Sequence, residues 1–325
     1  MTQLVPVGVV GVGALGRHHA RHLAAMDGVR LVGVFDTDHA RAQETAASLE
    51  CRSFESCSAL LAEVRAVTVA VPTPFHHAVG LECLEHRVAV LMEKPFATTL
   101  AEADDLVAAA KHHGVLLAVG HVERFNRAMR AARDVLERPA FIESIRLAPF
   151  QPRGTDVAVV LDLMIHDLDL ALHMVGGAPA VEVRASGVSI VSSHLDIANA
   201  RVEFSGGAVA SVVSSRVARE RVRRMRIFQP SGYISLDLAT GDANFMRLRP
   251  GRQAGVAASL EEIVEIVALH APEADALELE LAAFIAAVRG EPSDIVSAAE
   301  GRAALALALE VTTAVQRLPA PALDR

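Results

Sequence analysis

Over the first third of the chain, short aliphatic runs without polar interruption alternate with longer amphipathic stretches. The runs Leu4 to Val10, Arg30 to Phe35, Ala66 to Val71, Val88 to Met92 and Val115 to Val119 read as strands. Continuous Val-rich runs are the pattern of strands covered on both faces, and the stretches between them supply crossover helices. Residues 1–121 are therefore expected to form a parallel, doubly wound α/β domain. Beyond Glu123 the rhythm changes. Ala180 to Val191, Asp196 to Phe204, Ala208 to Ser215, Arg223 to Phe228 and Tyr233 to Leu238 are strand-like runs with little helix between them, and Gly206-Gly207 and Ser231-Gly232 are hairpin signals. That predicts an antiparallel sheet in an α+β second domain, residues 122–325. A long apolar helix, Val160 to Val175, precedes the sheet and stops at Gly176-Gly177. Two Ala- and Leu-rich helices, Asp275 to Val288 and Ala298 to Gln316, close the chain, the last with the option of packing back on the first domain.

Length agrees with two domains: 325 residues against roughly 150 per domain. Hydrophobic residues are 52% and charged residues 22%, enough for substantial cores. Aromatics are only 4%, with no Trp and one Tyr, which argues against stacked platforms for single-stranded nucleic acid. The net charge of −8 offers no global basic field to nucleic acid or anionic lipid. Cys51, Cys57 and Cys83 form an odd set without C-x-x-C spacing, expected to be reduced packing thiols rather than a disulfide frame or zinc site. No apolar run reaches the ~18 residues of a membrane span, and the chain enters a strand pattern by Val5 without a charged leader, so a soluble, cytoplasmic protein is expected.

Chemistry enters at the ends of the strands. Gly11-Val12-Gly13-Ala14-Leu15-Gly16 follows the first strand and opens a helix. Gly11 permits the tight turn, Gly13 a close approach of backbone to a pyrophosphate, and Gly16 close packing of helix on strand. Asp36 ends the second strand ~20 residues later, where a carboxylate accepts the ribose hydroxyls of a dinucleotide and repels a 2′-phosphate. NAD is thus expected in preference to NADP. Val71-Pro72-Thr73-Pro74-Phe75-His76 and Glu93-Lys94-Pro95 also follow strands at the edge where such sheets bind ligands. Pro72, Thr73, His76, Glu93 and Lys94 are therefore expected at the cofactor, with Pro95 holding Lys94 extended so that its ammonium projects from the sheet edge. His18 and His19 fall early in the helix after the glycine loop, near the same place. His112 and His113, near a helix end, complement its dipole when protonated.

In the helix Val160 to Val175, Asp162, His166, Asp169 and His173 recur at spacings of four, three and four, along one face. Such a face is a satisfied core network, a metal site, or a catalytic face with His166 as proton acceptor oriented by Asp162. The two-turn separation of His166 from His173 counts against metal, and none is expected. Arg216, Arg219, Arg221, Arg223, Arg224 and Arg226 are either forks for diphosphate oxygens or charges that protect an edge strand and pair across an interface. Arg124, Phe125, Asn126 and Arg153, near the domain junction, are further candidate substrate contacts.

With GVGALGRHH, VPTPFHH, MEKPF and VLDLMIHDLDLALHMVG in this order, the whole chain resembles the Gfo/Idh/MocA oxidoreductases. The resemblance implies an N-terminal Rossmann domain and a C-terminal domain whose large, open, mainly antiparallel sheet serves substrate binding and assembly into a homodimer or homotetramer. It implies Lys94, Asp162 and His166 acting on a sugar hydroxyl. A narrower resemblance, carried by GHVERFNRAMR, RLAPFQPRGTDVAVVLDLMIHDLDL, DIANARVEF and SRVARERVRRMRIFQ, is to the subgroup that oxidises the 3-hydroxyl of UDP-N-acetylglucosamine in lipid A biosynthesis. It implies a nucleotide-sugar substrate, a UDP-3-keto product and a downstream aminotransferase. Gln151-Pro152 before Arg153-Gly154 departs from the subgroup's pattern and puts the loop over the substrate in question. A free polyol or aldose such as inositol is the alternative substrate. A non-catalytic NAD sensor is the alternative of another class, against which the retained Lys94, Asp162 and His166 argue.

Overall fold

The computed structural model describes residues 4–151, 157–249 and 259–316. It contains two compact units, one formed by the chain up to Val122 together with Ala274–Arg302, the other by Glu123–Glu273 and the segment from Ala303 on.

The first unit is built on six strands, β1 (Val5–Val10), β2 (Val29–Phe35), β3 (Arg52–Ser53), β4 (Ala66–Val69), β5 (Ala89–Glu93) and β6 (Leu117–Gly120). Their order is β3-β2-β1-β4-β5-β6, and every pairing is parallel. The order reverses beside β1, so the crevice at the carboxyl ends of β1 and β4 is the switch point where doubly wound sheets take ligands. β4, β5 and β6 are buried at every position, as the aliphatic runs predicted. Thr99 caps the helix Leu100–His113 by accepting the Glu102 N–H, and Gly114 ends it at φ 64°. His112 and His113 do lie in its last turn, with Lys111.

The boundary expected near residue 121 leaves out a return of the chain. The helix Ala276–Val288, expected in the second domain, lies in the first unit, where Leu281, Phe284 and Ile285 join Val5, Val7, Val9 and Leu23 in one core. Burying each such side chain stabilises by about 1.5–3 kcal/mol, which outweighs sequence proximity in deciding where the helix packs. Arg289 also donates to the Gly28 carbonyl at 2.8 Å.

The second unit holds eight strands, β7 (Phe141–Leu147), β8 (Ala180–Val188), β9 (Ile197–Phe204), β10 (Val209–Ser215), β11 (Val222–Gln229), β12 (Gly232–Asp237), β13 (Asp242–Leu248) and β14 (Val264–Leu269). They run in the order β14-β13-β12-β11-β7-β10-β9-β8, antiparallel throughout except for β7 beside β10. One sheet face, with Ala198, Ala200, Val202 and Phe204 from β9, packs against Met164, Leu168 and Ala171 and against Leu307, Ala308 and Val311 of the helix Ala298–Gln316. The final helix therefore gives its buried face from Ala304 onward to the second core, while its earlier Gly301 meets Val119 in the first unit. β7, β13 and β14 were not among the expected strands. The three cysteines are free thiols. Among the described residues no helix is long and apolar enough to cross a membrane.

Candidate active site

The glycine loop has the geometry that its spacing predicts. Gly11 stands at φ 84°, and a Cβ there would fall 2.8 Å from Val71 and 2.9 Å from the Ala70 backbone. A Cβ on Gly16 would lie 1.8 Å from the Gly11 carbonyl oxygen, so the helix Gly16–Ala25 can start this close to β1 only with glycine. A Cβ on Gly13 would meet nothing within 4 Å, so the space on that side of the loop is open, and no side chain caps the helix N-terminus. Exposed N–H groups of this kind are what a pyrophosphate needs. Ala14, Arg17, His18 and Arg21 line a cavity of about 660 Å³ that opens beside the loop, with Arg41 and Glu44 of the helix His39–Ser48 opposite. Burial, Arg21 and Arg17 together press the His18 pKa down, so the surroundings are cationic and suit an anion. The loop thus fits a dinucleotide.

Asp36, 5% exposed at the end of β2, accepts the Val12 N–H at 2.8 Å and the Asp38 N–H at 2.9 Å. Arg41 adds a fork, Nε at 3.2 Å and Nη2 at 2.7 Å. Burial pushes the carboxyl up, yet the Arg41 fork and the two backbone N–H groups prevail and hold it below the usual range. Arg41 was not anticipated. The available signal was its place one turn into the helix that follows Asp36.

Pro72 is exposed and Thr73 half-buried, at the start of a short 3₁₀ turn, Thr73–Phe75. His76, expected at the cofactor, is instead a buried brace: Nδ1 lies 2.9 Å from the Pro95 carbonyl and Nε2 2.9 Å from that of Val71. Both ring nitrogens lie against main-chain oxygens, one of them as the N–H donor, which places the ring between the loop after β4 and the loop after β5. Glu93 ends β5 buried, with Oε1 3.0 Å from Nε2 of the buried His19, and its Oε2 accepts the Lys94 N–H at 3.2 Å. Lys94 is half-buried between the buried Glu93 and Pro95, and the Lys94–Pro95 peptide is cis.

Asp162 and His166 belong to the second unit, both half-buried. Asp162 lies in a π-helical turn, Val160–Met164, that leads into the α-helix Ile165–Met174 carrying His166. π-Turns are frequent at functional sites. The polar face expected along this helix divides in two. Asp169 is buried and held by Arg124, Nη2 at 2.6 Å and Nε at 2.9 Å, while exposed His173 meets Arg124 Nη1 at 3.3 Å. Asp167, which the sequence reading missed, is clasped by Arg146 of β7 at 2.7 and 3.0 Å, and Arg146 also donates to Glu123 at 2.8 Å. Arg146 itself is 2% exposed. The two clasps anchor the helix that presents His166.

Other expected substrate contacts are engaged within the second unit. The Arg124 fork is committed to Asp169, and Phe125 is buried. Asn126 caps the helix Arg127–Ala132 by accepting the Ala128 N–H, and donates to Glu123 and to the Leu238 carbonyl, both at 2.9 Å. Arg153 lies outside the described residues. In the arginine cluster, Arg216 donates to the Val157 carbonyl, Arg223 meets Glu123, Arg224 meets Asp237 and Arg226 meets Glu143. Arg223, Arg224 and Arg226 thus pair with carboxylates of their own chain, and β11, which carries them, is an inner strand between β12 and β7 rather than the expected edge strand. Among the described residues no three His, Cys, Asp or Glu side chains are grouped to hold a metal ion.

A doubly wound parallel sheet with this glycine loop and carboxylate defines an NAD-binding oxidoreductase domain, and the family model for oxidoreductases with an NAD-binding Rossmann fold matches residues 5–121. The GFO/IDH/MocA C-terminal domain model matches residues 145–235. The chain belongs to the GFO/IDH/MocA oxidoreductase family. It is 41% identical over 310 residues to the UDP-N-acetylglucosamine 3-dehydrogenase of Acidithiobacillus ferrooxidans, covering 95% of this chain and 96% of that one. A solved structure of that enzyme superposes with a TM-score of 0.89 at 40% identity, covering 96% of this chain and 97% of the other. The myo-inositol 2-dehydrogenase of Thermotoga maritima is 27% identical over 250 residues, 71% of this chain and 75% of that one.

Proposed function

We propose that this protein is an NAD-dependent dehydrogenase of a nucleotide sugar, oxidising the 3-hydroxyl of UDP-N-acetylglucosamine to the UDP-3-keto sugar. The observation that carries this reading is the 41% identity, sustained over 95% of the chain, to an enzyme of that name. When bound, NAD supplies the hydride acceptor. The glycine loop and the uncapped helix N-terminus receive its pyrophosphate, and Asp36 its ribose hydroxyls. Lys94 hydrogen-bonds the reacting hydroxyl and stabilises the negative charge that develops on its oxygen. His166 accepts the hydroxyl proton at an imidazole nitrogen, and Asp162 orients the ring. The ketone product suits a later transamination.

The test is NADH formation across UDP-N-acetylglucosamine, related UDP-sugars, inositol and free hexoses, with a ketone trap and mass spectrometry of the sugar. A UDP-3-keto product is the expected result. Turnover of inositol alone would move the substrate to the class of the more distant relatives, and NAD binding without turnover of any candidate would favour a sensor.

Preference for NAD over NADP is supported by the buried Asp36 carboxylate. A 2′-phosphate brought against it meets like charge, whereas Arg41 stands ready as its counterion once Asp36 is gone. Asp36→Ala is therefore expected to shift the ratio of kcat/KM for NAD over NADP by about tenfold or more toward NADP, the equivalent of about 1.4 kcal/mol. Paired initial-rate measurements check this, and an unchanged ratio would assign the preference elsewhere.

A further inference from the structure

Behind Lys94 lies a buried pair that none of the steps above uses. His19 is 0% exposed, on the first turn of the helix that opens at Gly16. Its Nε2 is 3.0 Å from Glu93 Oε1, with the ring off the line of a straight hydrogen bond, and its Nδ1 has no hydrogen-bond partner among the described residues. Glu93 Oε2 turns the other way and accepts the Lys94 N–H. Room for the carboxylate is provided by Gly120, its β6 neighbour, where a Cβ would stand 3.1 Å from Oε1. Placing a carboxylate inside a sheet is costly unless it is paired. Burial pushes the Glu93 carboxyl up, but the contact and charge of His19, the charge of Lys94 and the Lys94 N–H outweigh it and leave the group below its usual range. From the other side His76 holds the Pro95 carbonyl. Glu93, Lys94 and Pro95 are thus gripped on both flanks, and one grip comes from the helix whose N-terminus is proposed to receive the pyrophosphate.

We infer that His19 is a positioning residue: through Glu93 it fixes the main chain of Lys94 relative to the helix that receives the dinucleotide. The inference rests on the reading of Lys94 as the group that acts on the hydroxyl, and it assigns His19 no contact with substrate or cofactor. An ammonium displaced by about 1 Å from the reacting oxygen loses on the order of 10²-fold in rate while dinucleotide affinity is kept.

The chain contains only two lysines, Lys94 and the exposed Lys111, so the state of Lys94 can be read without turnover. NAD-loaded protein is treated briefly with a small amine-acylating reagent, and the ratio of Lys94 to Lys111 modification is measured by mass spectrometry. His19→Leu removes the polar contact. The expected results are a severalfold rise in that ratio, a drop in kcat on the order of 10²-fold, and NADH affinity by fluorescence titration close to wild type. His19→Gln, whose amide nitrogen occupies nearly the place of Nε2, is expected to restore both ratio and kcat. If His19→Leu does not fold, Glu93→Gln keeps the shape, weakens the pair and is read in the same way. A wild-type labelling ratio in the folded Leu variant would overturn the inference, as would a Gln variant as impaired as the Leu variant. Lys94→Ala, assayed alongside, separates the two ideas. Full turnover there removes Lys94 from the chemistry and leaves labelling to decide on His19, whereas an inactive Lys94→Ala beside a fully active His19→Leu sinks the His19 role alone.

Discussion

Lys94→Ala is expected to lower turnover by on the order of 10²- to 10³-fold or more while NAD still binds. The magnitude is that of removing one preorganised donor from an oxygen that gains negative charge in the transition state. Sparing of cofactor binding follows from where the dinucleotide is expected to be held: the open glycine loop at Gly13, the uncapped helix N-terminus and Asp36 are all untouched by the change. A lysine also differs from the arginines that dominate this chain's basic residues, because its ammonium is a compact point charge rather than a planar fork. Single-turnover NADH formation and fluorescence titration of NADH read the two quantities separately. Near-normal turnover would take Lys94 out of the mechanism, and a parallel loss of NADH affinity would make it a cofactor-binding group instead.

Arg146→Met is expected to destabilise the second unit by about 3–5 kcal/mol, the usual cost of stripping one partner from a buried ion pair. Arg146 is inside the sheet-and-helix core, bidentate to Asp167 and bonded to Glu123. Burial alone would depress its pKa, but the two carboxylates reverse that and raise it, so the guanidinium is a fixed cation at any working pH. Methionine has a similar reach and fills the space, which isolates the charge effect from a cavity. Asp167 would then be left buried without its fork, next in sequence to His166. Total stabilities of domains are only about 5–15 kcal/mol, so the loss should appear as a large fall in the urea midpoint of the second unit. A change below about 1 kcal/mol would mean that water or Arg223 compensates the carboxylates.

The site was partly legible because its motifs are local. A glycine loop after a strand and a carboxylate at the end of the next strand are joined by backbone geometry that a few residues dictate, and the structure reproduces both. What failed to show were partners far apart in the chain. Arg146 lies 21 residues from Asp167, and His19 lies 74 residues from Glu93. Neither pairing has a spacing rule. The same cause hid β7, whose inward positions Ile142, Ser144 and Arg146 include two polar residues while Phe141, Ile145 and Leu147 face the other way. A polar residue satisfied inside inverts the alternation from which strands are recognised. β13 and β14 were also missed, and their partly exposed positions near the sheet edge give a weaker apolar signal.

By itself the sequence determined the two sheet types, the glycine loop, Asp36 and the placing of Lys94 after a buried strand, because each depends on hydrophobic period or on steric rules within a few residues. Tertiary structure alone decided that the helix Ala276–Val288 belongs with the first core, that His76 braces two loops rather than facing outward, and that Arg124 and Asn126 hold the fold together. The physical reason is common to all of these. A polar side chain taken out of water must find a partner wherever the packed chain supplies one, and an apolar face settles on whichever core can cover it.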